Sequence, residues 1–373
     1  MGIQLRYKSA SQAHVAGSTL TFKNWIPRRG PTGGRVVVDR FWPVFTGTDV
    51  DVAGTAVEGE DCWRFFRRIL VEQVDGRQRW NLTGDESRVA CYLLMGSDRV
   101  PEFADLAIAN NQTPSFMIPI PMAKRFTKRP KDYSLPAELL SRFAIDCADA
   151  AEVGVAGGTI GIVGSYYVIA ECHEEKSIEL KCEDEVKAFV LANTSGGQLV
   201  VGGRLTDLSL FQRAASGGGS LANLTDVRID QAVPDALLRN PDLKEMYAAA
   251  RYAAHNLPST DGDPIHNDPH TLATMVACPV LWSTEESSAV DGPVLDETIV
   301  RLTNSVPSLE AIYRVVVPKS HGLALGVMRR HGLRDDSFRM KTKGKTKRDP
   351  GKWAPHEAVF LPASAPDKNG PPG

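Results

Sequence analysis

The side chains best placed for chemistry crowd one short segment. His266 and His270, with Asp263 and Asp268, lie within Asp261-Gly262-Asp263-Pro264-Ile265-His266-Asn267-Asp268-Pro269-His270. Imidazole and carboxylate groups at such spacing hold zinc when one helix face carries both histidines. Pro264 and Pro269 forbid that helix, so the segment reads as a surface loop. Gly344-Lys345-Thr346 has the ending of a phosphate-binding loop, but Arg339 stands where the loop needs its first glycine. No strand precedes it either, so nucleotide binding is not expected. A cupin-type iron or manganese centre needs two closely spaced histidines and a carboxylate. No His-x-His occurs, and His14, His173, His255, His266, His270, His321, His331 and His356 fall mostly in loops and ends. No Gly-x-Ser-x-Gly elbow offers acyl transfer. Asp and Glu are abundant enough to leave a paired-carboxylate glycosidase open. No catalytic residue, metal site or cofactor is assigned.

Cysteine chemistry is equally muted. Cys62, Cys91, Cys147, Cys172, Cys182 and Cys278 form no Cys-x-x-Cys pair. Six in 373 residues are too few for a disulfide scaffold. They read as buried free thiols of a protein made in a reducing cytoplasm. The start Met1-Gly2-Ile3-Gln4-Leu5-Arg6 has no apolar run, so no secretory leader is expected. The four Asn-x-Ser/Thr sites, at Asn81, Asn111, Asn193 and Asn223, then read as turn residues.

The elements that would carry such groups are mostly strands. Alternating or β-branched runs cover Thr19–Phe22, Arg35–Phe45, Phe65–Val74, Ser115–Ile120, Leu139–Ile145, Thr159–Ala170, Ser177–Leu191 and Gln198–Val201. Leu272–Trp282, Thr298–Leu302 and Ala311–Val317 continue the series, and Asp75-Gly76 marks a hairpin. Val153 to Ala170 carries no charge over 18 residues, but its five glycines argue for a turn and a buried strand rather than a membrane helix. Two helices stand out. One runs from Asp85 to Met95, before Gly96. The other covers Pro241 to Ala254, with Asn240 as N-cap and Leu243, Met246, Tyr247 and Ala250 on one face. Trp25, Trp42, Trp63 and Trp80 gather in the first half and read as core, with one or two as interface anchors.

A weak internal repeat orders these elements. Phe66-Arg67-Arg68 pairs with Phe211-Gln212-Arg213, and Asn81-Leu82-Thr83-Gly84-Asp85 with Asn223-Leu224-Thr225-Asp226. Phe116–Pro121 pairs with Met275–Val280, Glu138–Phe143 with Glu297–Leu302, and Tyr166–Ile169 with Ile312–Val316. Each half holds about eight strand signals, and alternation indicates antiparallel sheets with one buried face. The expected fold class is therefore all-β: two tandem eight-stranded antiparallel jelly rolls, or β-sandwiches, with a few inserted helices. The boundaries expected are residues 1–14 as an N-terminal arm, 15–175 as the first roll, 176–325 as the second, and 326–373 as a basic C-terminal arm.

In these strand sets, the paired Phe66-Arg67-Arg68 and Asn81-Leu82-Thr83 segments, the helix at 241–254 and the long polar loops such as Gly202–Ser220 and Pro258–His270, the chain resembles a family. It is similar to the double jelly-roll major capsid proteins of tailless icosahedral bacteriophages and related viruses, over about residues 15 to 325. The resemblance implies a structural protein rather than an enzyme. It implies homotrimers whose six rolls form pseudo-hexameric capsomers in an icosahedral virion shell. The implied partners are neighbouring capsomers and minor capsid or vertex proteins. A virion spike or carbohydrate-binding double β-sandwich is the alternative reading, and a cupin-like enzyme a further one.

Charge supports the same division. Lys+Arg 43 against Asp+Glu 45 gives −2, which excludes a wholly basic nucleic-acid coat and a disordered acidic chain. Many copies packed edge to edge tolerate such a value without strong repulsion. The balance hides a contrast. Arg329, Arg330, Arg334, Arg339, Lys341, Lys343, Lys345, Lys347, Arg348 and Lys352 face only Asp335, Asp336 and Asp349 in that stretch, a local net of +7. The rest of the chain then carries −9. The arm is expected to touch DNA phosphates, anionic lipid headgroups or neighbouring capsomers.

Overall fold

A computed structural model describes residues 4–53, 59–95, 113–122, 135–153, 159–175, 182–191, 197–202, 204–212, 224–231, 236–239, 275–279, 297–304 and 309–318. In chain order the first part contains β1 (Gln4–Lys8), β2 (Gln12–Ala13), β3 (Thr19–Phe22), β4 (Arg35–Ala53), β5 (Phe66–Gln73) and β6 (Gln78–Leu82). Helix α1 (Gly84–Met95) follows. Then come β7 (Ser115–Met117), β8 (Ile120–Pro121), β9 (Leu135–Pro136), β10 (Leu140–Cys147), the short helix α2 (Ala150–Val153) and β11 (Thr159–Glu175). The second part contains β12 (Cys182–Leu191), β13 (Gly197–Gly202), β14 (Arg204–Gln212), β15 (Leu224–Gln231), β16 (Ala236–Arg239), β17 (Met275–Pro279), β18 (Glu297–Asn304) and β19 (Leu309–Pro318).

Sheet order reveals the repeat more clearly than sequence does. One sheet of the first part runs β1-β11-β4-β7, with β2, β8 and β9 on its flanks. Its facing strands run β3-β10-β5-β6. In the second part the orders are β12-β19-β14-β17 and β13-β18-β15-β16. Substituting each strand by its counterpart turns one set into the other. Both parts are jelly rolls of eight strands, and the fold is a double jelly roll. All within-roll pairings are antiparallel.

Three of the five sequence pairings fall on equivalent strands: β7 with β17, β10 with β18, and β11 with β19. Two do not. Phe66-Arg67-Arg68 opens β5, whereas Phe211-Gln212 closes β14, the counterpart of β4. Asn81–Asp85 joins β6 to α1, whereas Leu224 begins β15, the counterpart of β5. Two further expectations change. Gln4–Lys8 is no free arm: it pairs along its length with Lys8↔Ile169 through Gln4↔His173 of β11. Arg204–Gln212, expected within a polar loop, is a strand with Leu205, Leu208 and Leu210 buried. The helix at 241–254 and the loop Asp261–His270 lie outside the described residues. Of the charge-free run, Thr159 to Ala170 lies in strand β11, and no described helix is long and apolar enough to cross a membrane.

Local chemistry fixes the elements beside the junction of the two rolls. The β5–β6 hairpin turns at Gly76, whose φ of +84° suits glycine. The Asp75 carboxylate accepts the Arg77 backbone N–H at 3.1 Å. Helix α1 starts in a reciprocal cap: Thr83 Oγ1 accepts the Glu86 N–H at 3.3 Å, and Glu86 Oε2 accepts the Thr83 N–H at 2.6 Å. A Cβ at Gly84 would lie 1.8 Å from the Trp63 carbonyl oxygen, so only glycine lets the helix start against that turn.

The first roll's core is aromatic. Phe45 packs 4.8 Å from Phe65, 5.0 Å from Tyr166 and 5.3 Å from Phe116, between ring centroids. Phe66 meets Tyr166 edge-on at 5.5 Å. The Tyr166 hydroxyl donates to the Phe65 carbonyl at 2.8 Å, so its one polar atom is satisfied in the interior. In the second roll Leu208, Leu210, Val227, Ile229 and Val300 are buried.

The chain divides into two units, Met1–Val327 and Met328–Gly373. Every described residue lies in the first.

Candidate assembly surfaces

The junction between the rolls is built from one strand pair and one helix. β6 ends the first roll's inner sheet, and β12 begins the second roll. They pair in parallel through Trp80↔Val186, which joins eight strands into one hydrogen-bonded sheet. Trp80 is fully buried, and its indole N–H donates to Ser87 Oγ of α1 at 3.0 Å. Helix α1 contacts β5, β6 and β8 of its own roll and also β14 and β19 of the next. Val186 and Ile312 belong to the same apolar cluster as Val89, Ala90, Cys91 and Leu94. The second roll's β12-β19-β14-β17 sheet therefore has one face closed by the first roll. Ser209 is the register partner of Ile312, and Arg314 lies two residues beyond it; both are fully buried.

The equivalent outer face of the first roll is different. Register places Lys8, Ile169 and Trp42 in one row, and Tyr167, Val44 and Met117 in the next. Met117 is 46% exposed, and Val163 further along β11 is 57% exposed. Lys8 Nζ sits 3.9 Å from the Tyr167 ring centre, and the Arg40 guanidinium 5.1 Å from that of Trp42. A third row pairs charges: Arg6 reaches Glu171 at 2.9 Å and Arg40 reaches the same carboxylate at 3.8 Å.

One histidine lies in this face. A register shift between Glu171 and Cys172 gives β4 an extra residue, Asp39. Asp39 Oδ2 lies 2.7 Å from His173 Nδ1, and Glu175 Oε1 lies 3.4 Å from Nε2. The hydrogen bond to Asp39 is the main cause of a raised imidazole pKa, opposed by partial burial and reinforced by Glu175. The sequence carries no signal for this contact, and His173 counts there among histidines expected mostly in loops and ends. Among the described residues no group of three His, Cys, Asp or Glu side chains is arranged to hold a metal ion.

Ion pairs decorate other faces. Arg68 meets Asp146 at 2.7 Å and Arg142 meets Glu72 at 2.7 Å, across β5 and β10. Exposed pairs of this kind contribute at most about 1 kcal/mol each. In the second roll Asp230 is buried between Arg228, at 2.8 Å, and Arg301.

Cys62, Cys91, Cys147 and Cys172 are buried free thiols. Cys91 Sγ donates to the Pro119 carbonyl at 2.9 Å, and burial raises its pKa, so it stays protonated at neutral pH. Trp63 and Trp80 are core, Trp25 packs against the core, and Trp42 lies on the outer face. The ten basic residues from Arg329 to Lys352 lie outside the described residues.

No protein-family model matches the chain, and no curated protein matches it in sequence. Solved structures match it in fold. The STIV MCP superposes with a TM-score of 0.55 at 10% identity, over 86% of this chain and 98% of that one. A chain from the atomic structure of Sulfolobus Turreted Icosahedral Virus gives 0.56 at 10% identity, over 88% and 97%. The major capsid protein P2 from bacteriophage PM2 gives 0.49 at 11% identity, over 86% and 99%. The fold is that of the double jelly-roll major capsid proteins.

Proposed function

We propose that the chain is a major capsid protein. It forms trimeric, pseudo-hexameric capsomers that assemble into an icosahedral virion shell around a genome, with neighbouring capsomers and minor capsid or vertex proteins as partners. One observation carries the reading: the double jelly roll shares its fold with the STIV MCP over 86% of this chain and 98% of that one. The role is structural rather than catalytic, and the virion is its place after synthesis in a host cytoplasm. The near-neutral total charge suits dense packing. The segment Arg329–Lys352 serves as the contact to DNA phosphates, to an internal lipid surface or to adjacent capsomers, through Arg329, Arg330, Arg334, Arg339, Lys341, Lys343, Lys345, Lys347, Arg348 and Lys352.

Negative-stain microscopy and light scattering of two chains test this: the full chain, and one ending before Arg329. The full chain should give particles with three copies that grow into closed shells. The shortened chain should keep the three-copy particle and fail to close shells. A full chain that stays monomeric at every concentration would remove the capsid reading. A shortened chain that closes shells as well as the full one would remove the role of the arm.

A further inference from the structure

The segment joining β3 to β4 stands out by charge. Residues 23–35 hold Lys23, Arg28, Arg29 and Arg35 and no acid. β3 ends at Phe22, opposite Phe143, and β4 starts at Arg35, opposite Glu175. The segment therefore caps the end of the first roll where β11 finishes. Lys23, Arg28 and Arg29 are exposed. Arg35 meets Glu138 at 3.4 Å, but among the described residues no carboxylate pairs with the other three. Asp39 and Glu175, at the same end, are engaged by His173. The opposite end of the roll has the reverse sign. It exposes Asp49, Asp149 and Glu152, the last paired with Arg67 at 3.1 Å.

The hairpin is held in one shape. Arg29 and Arg35 form a bridge, and the Val36 N–H donates to the Arg28 carbonyl at 3.1 Å. The Gly30 N–H donates to the Gly34 carbonyl at 3.0 Å, and Arg29 Nη1 to the Gly33 carbonyl at 3.1 Å. Glu174 of β11 fills the tip: its carboxylate accepts the Thr32 N–H at 3.0 Å and the Thr32 hydroxyl. A Cβ at Gly30 would lie 1.8 Å from that carboxylate, so the loop closes on Glu174 only with glycine there. Cations on a loop already ordered lose less entropy on binding. The tip, Gly30-Pro31-Thr32-Gly33-Gly34, carries no large apolar side chain, and Trp25 packs inward, 6.1 Å from Phe41. Cations without an apolar wedge suit a polyanion better than a bilayer, where Trp, Phe or Leu must enter the acyl boundary. The sequence between β8 and β9, both paired with the first half of β4, adds Lys124, Arg125, Lys128, Arg129 and Lys131 against Asp132. It lies outside the described residues and is not counted in the site.

We propose that the hairpin of residues 23–35 is a contact for the phosphate backbone of duplex DNA, made by Lys23, Arg28 and Arg29. Arg28 offers its whole guanidinium fork, Arg29 the part not spent on Gly33, and Lys23 a point charge. Contacts of this kind position the duplex without reading its sequence. The site is distinct from the segment Arg329–Lys352, and it rests on the capsid reading for the identity of the DNA as a packaged genome.

The test measures binding of the full chain to a short DNA duplex by fluorescence anisotropy across a range of salt. Lys23→Gln, Arg28→Gln and Arg29→Gln together should lower the slope of log K against log salt by about 2 to 3 and weaken binding roughly tenfold or more, with melting unchanged. An unchanged slope in the folded variant would overturn the proposal. Photoreactive benzoylphenylalanine at position 31, and separately at exposed position 163 near the opposite end, tests the place while every charge is kept. Irradiation should capture the duplex from position 31 and not from position 163. Equal capture from both would overturn the proposal, and so would capture of phosphatidylserine vesicles in place of the duplex. A full chain that closes shells but binds no duplex would overturn it and leave the capsid reading standing. Capture from position 31 in a chain that never closes shells would uphold the contact and remove the capsid reading.

Discussion

Replacing Trp80 by alanine should loosen the tie between the rolls more than it loosens either roll. Trp80 has no exposed surface, lies on the strand that meets β12, and donates to Ser87 of the helix spanning both rolls. Truncating a buried tryptophan to alanine costs about 3–5 kcal/mol, from lost apolar contact and the cavity left behind. For a cooperative unit of this size that corresponds to a fall in melting temperature of roughly 4–7 °C. Global stability alone would not locate the effect. Phe143→Ala is the control, since Phe143 is equally buried on β10 and packs 5.0 Å from Phe41 within the first roll. Hydrogen exchange on the two variants separates the cases. In Trp80→Ala, amides of Cys182–Leu191 should lose protection beyond the global loss, because the indole packing that holds β6 and α1 against β12 is gone. In Phe143→Ala they should follow the global loss only. Equal protection of β12 in the two variants would refute the claim that Trp80 and α1 hold the junction.

Two further outcomes follow from the same geometry. Tyr166→Phe removes the shorter of two hydrogen bonds to the Phe65 carbonyl, which keeps the Ala148 N–H at 3.4 Å, so chemical denaturation should show a loss of about 0.5–1.5 kcal/mol. His173 has a raised folded-state pKa, so its stabilising charge is fully present below the unfolded value near 6.5 and is lost as pH rises through the folded value. Stability should therefore decline from about pH 6.5 upward in the wild type. His173→Gln should flatten that decline, as thermal melts across pH 5.5 to 8.5 would read directly.

Sequence reveals strands here where alternation is unbroken and hides them where the phase slips. The Asp75-Gly76 hairpin and the helix ending at Met95 were legible because turn and capping residues act locally. β14 was not, because a register shift between Leu205 and Asp207 resets the alternation near the start of the strand. β1 was hidden for another reason: five residues with Leu5 and Tyr7 half-buried give a weak pattern, and their partner lies more than 160 residues away. The contact of His173 with Asp39 depends on a bulge, which moves one side chain out of phase and leaves no mark in composition. The repeat was recognised through its later strands and misaligned in its earlier ones. Topology matches β14 with β4, while local resemblance had matched Phe211 with Phe66.

The parallel junction also has a mechanical meaning. A force drawing the rolls apart acts across the strands at Trp80↔Val186 rather than along them. Bonds loaded in that direction open one after another instead of sharing the load. Helix α1, lying against β14 and β19 beyond that line, braces the seam from one side. Lateral tension should therefore rupture the molecule along β6 and β12 while leaving each sandwich whole, and α1 sets how far the two halves can swing before they part.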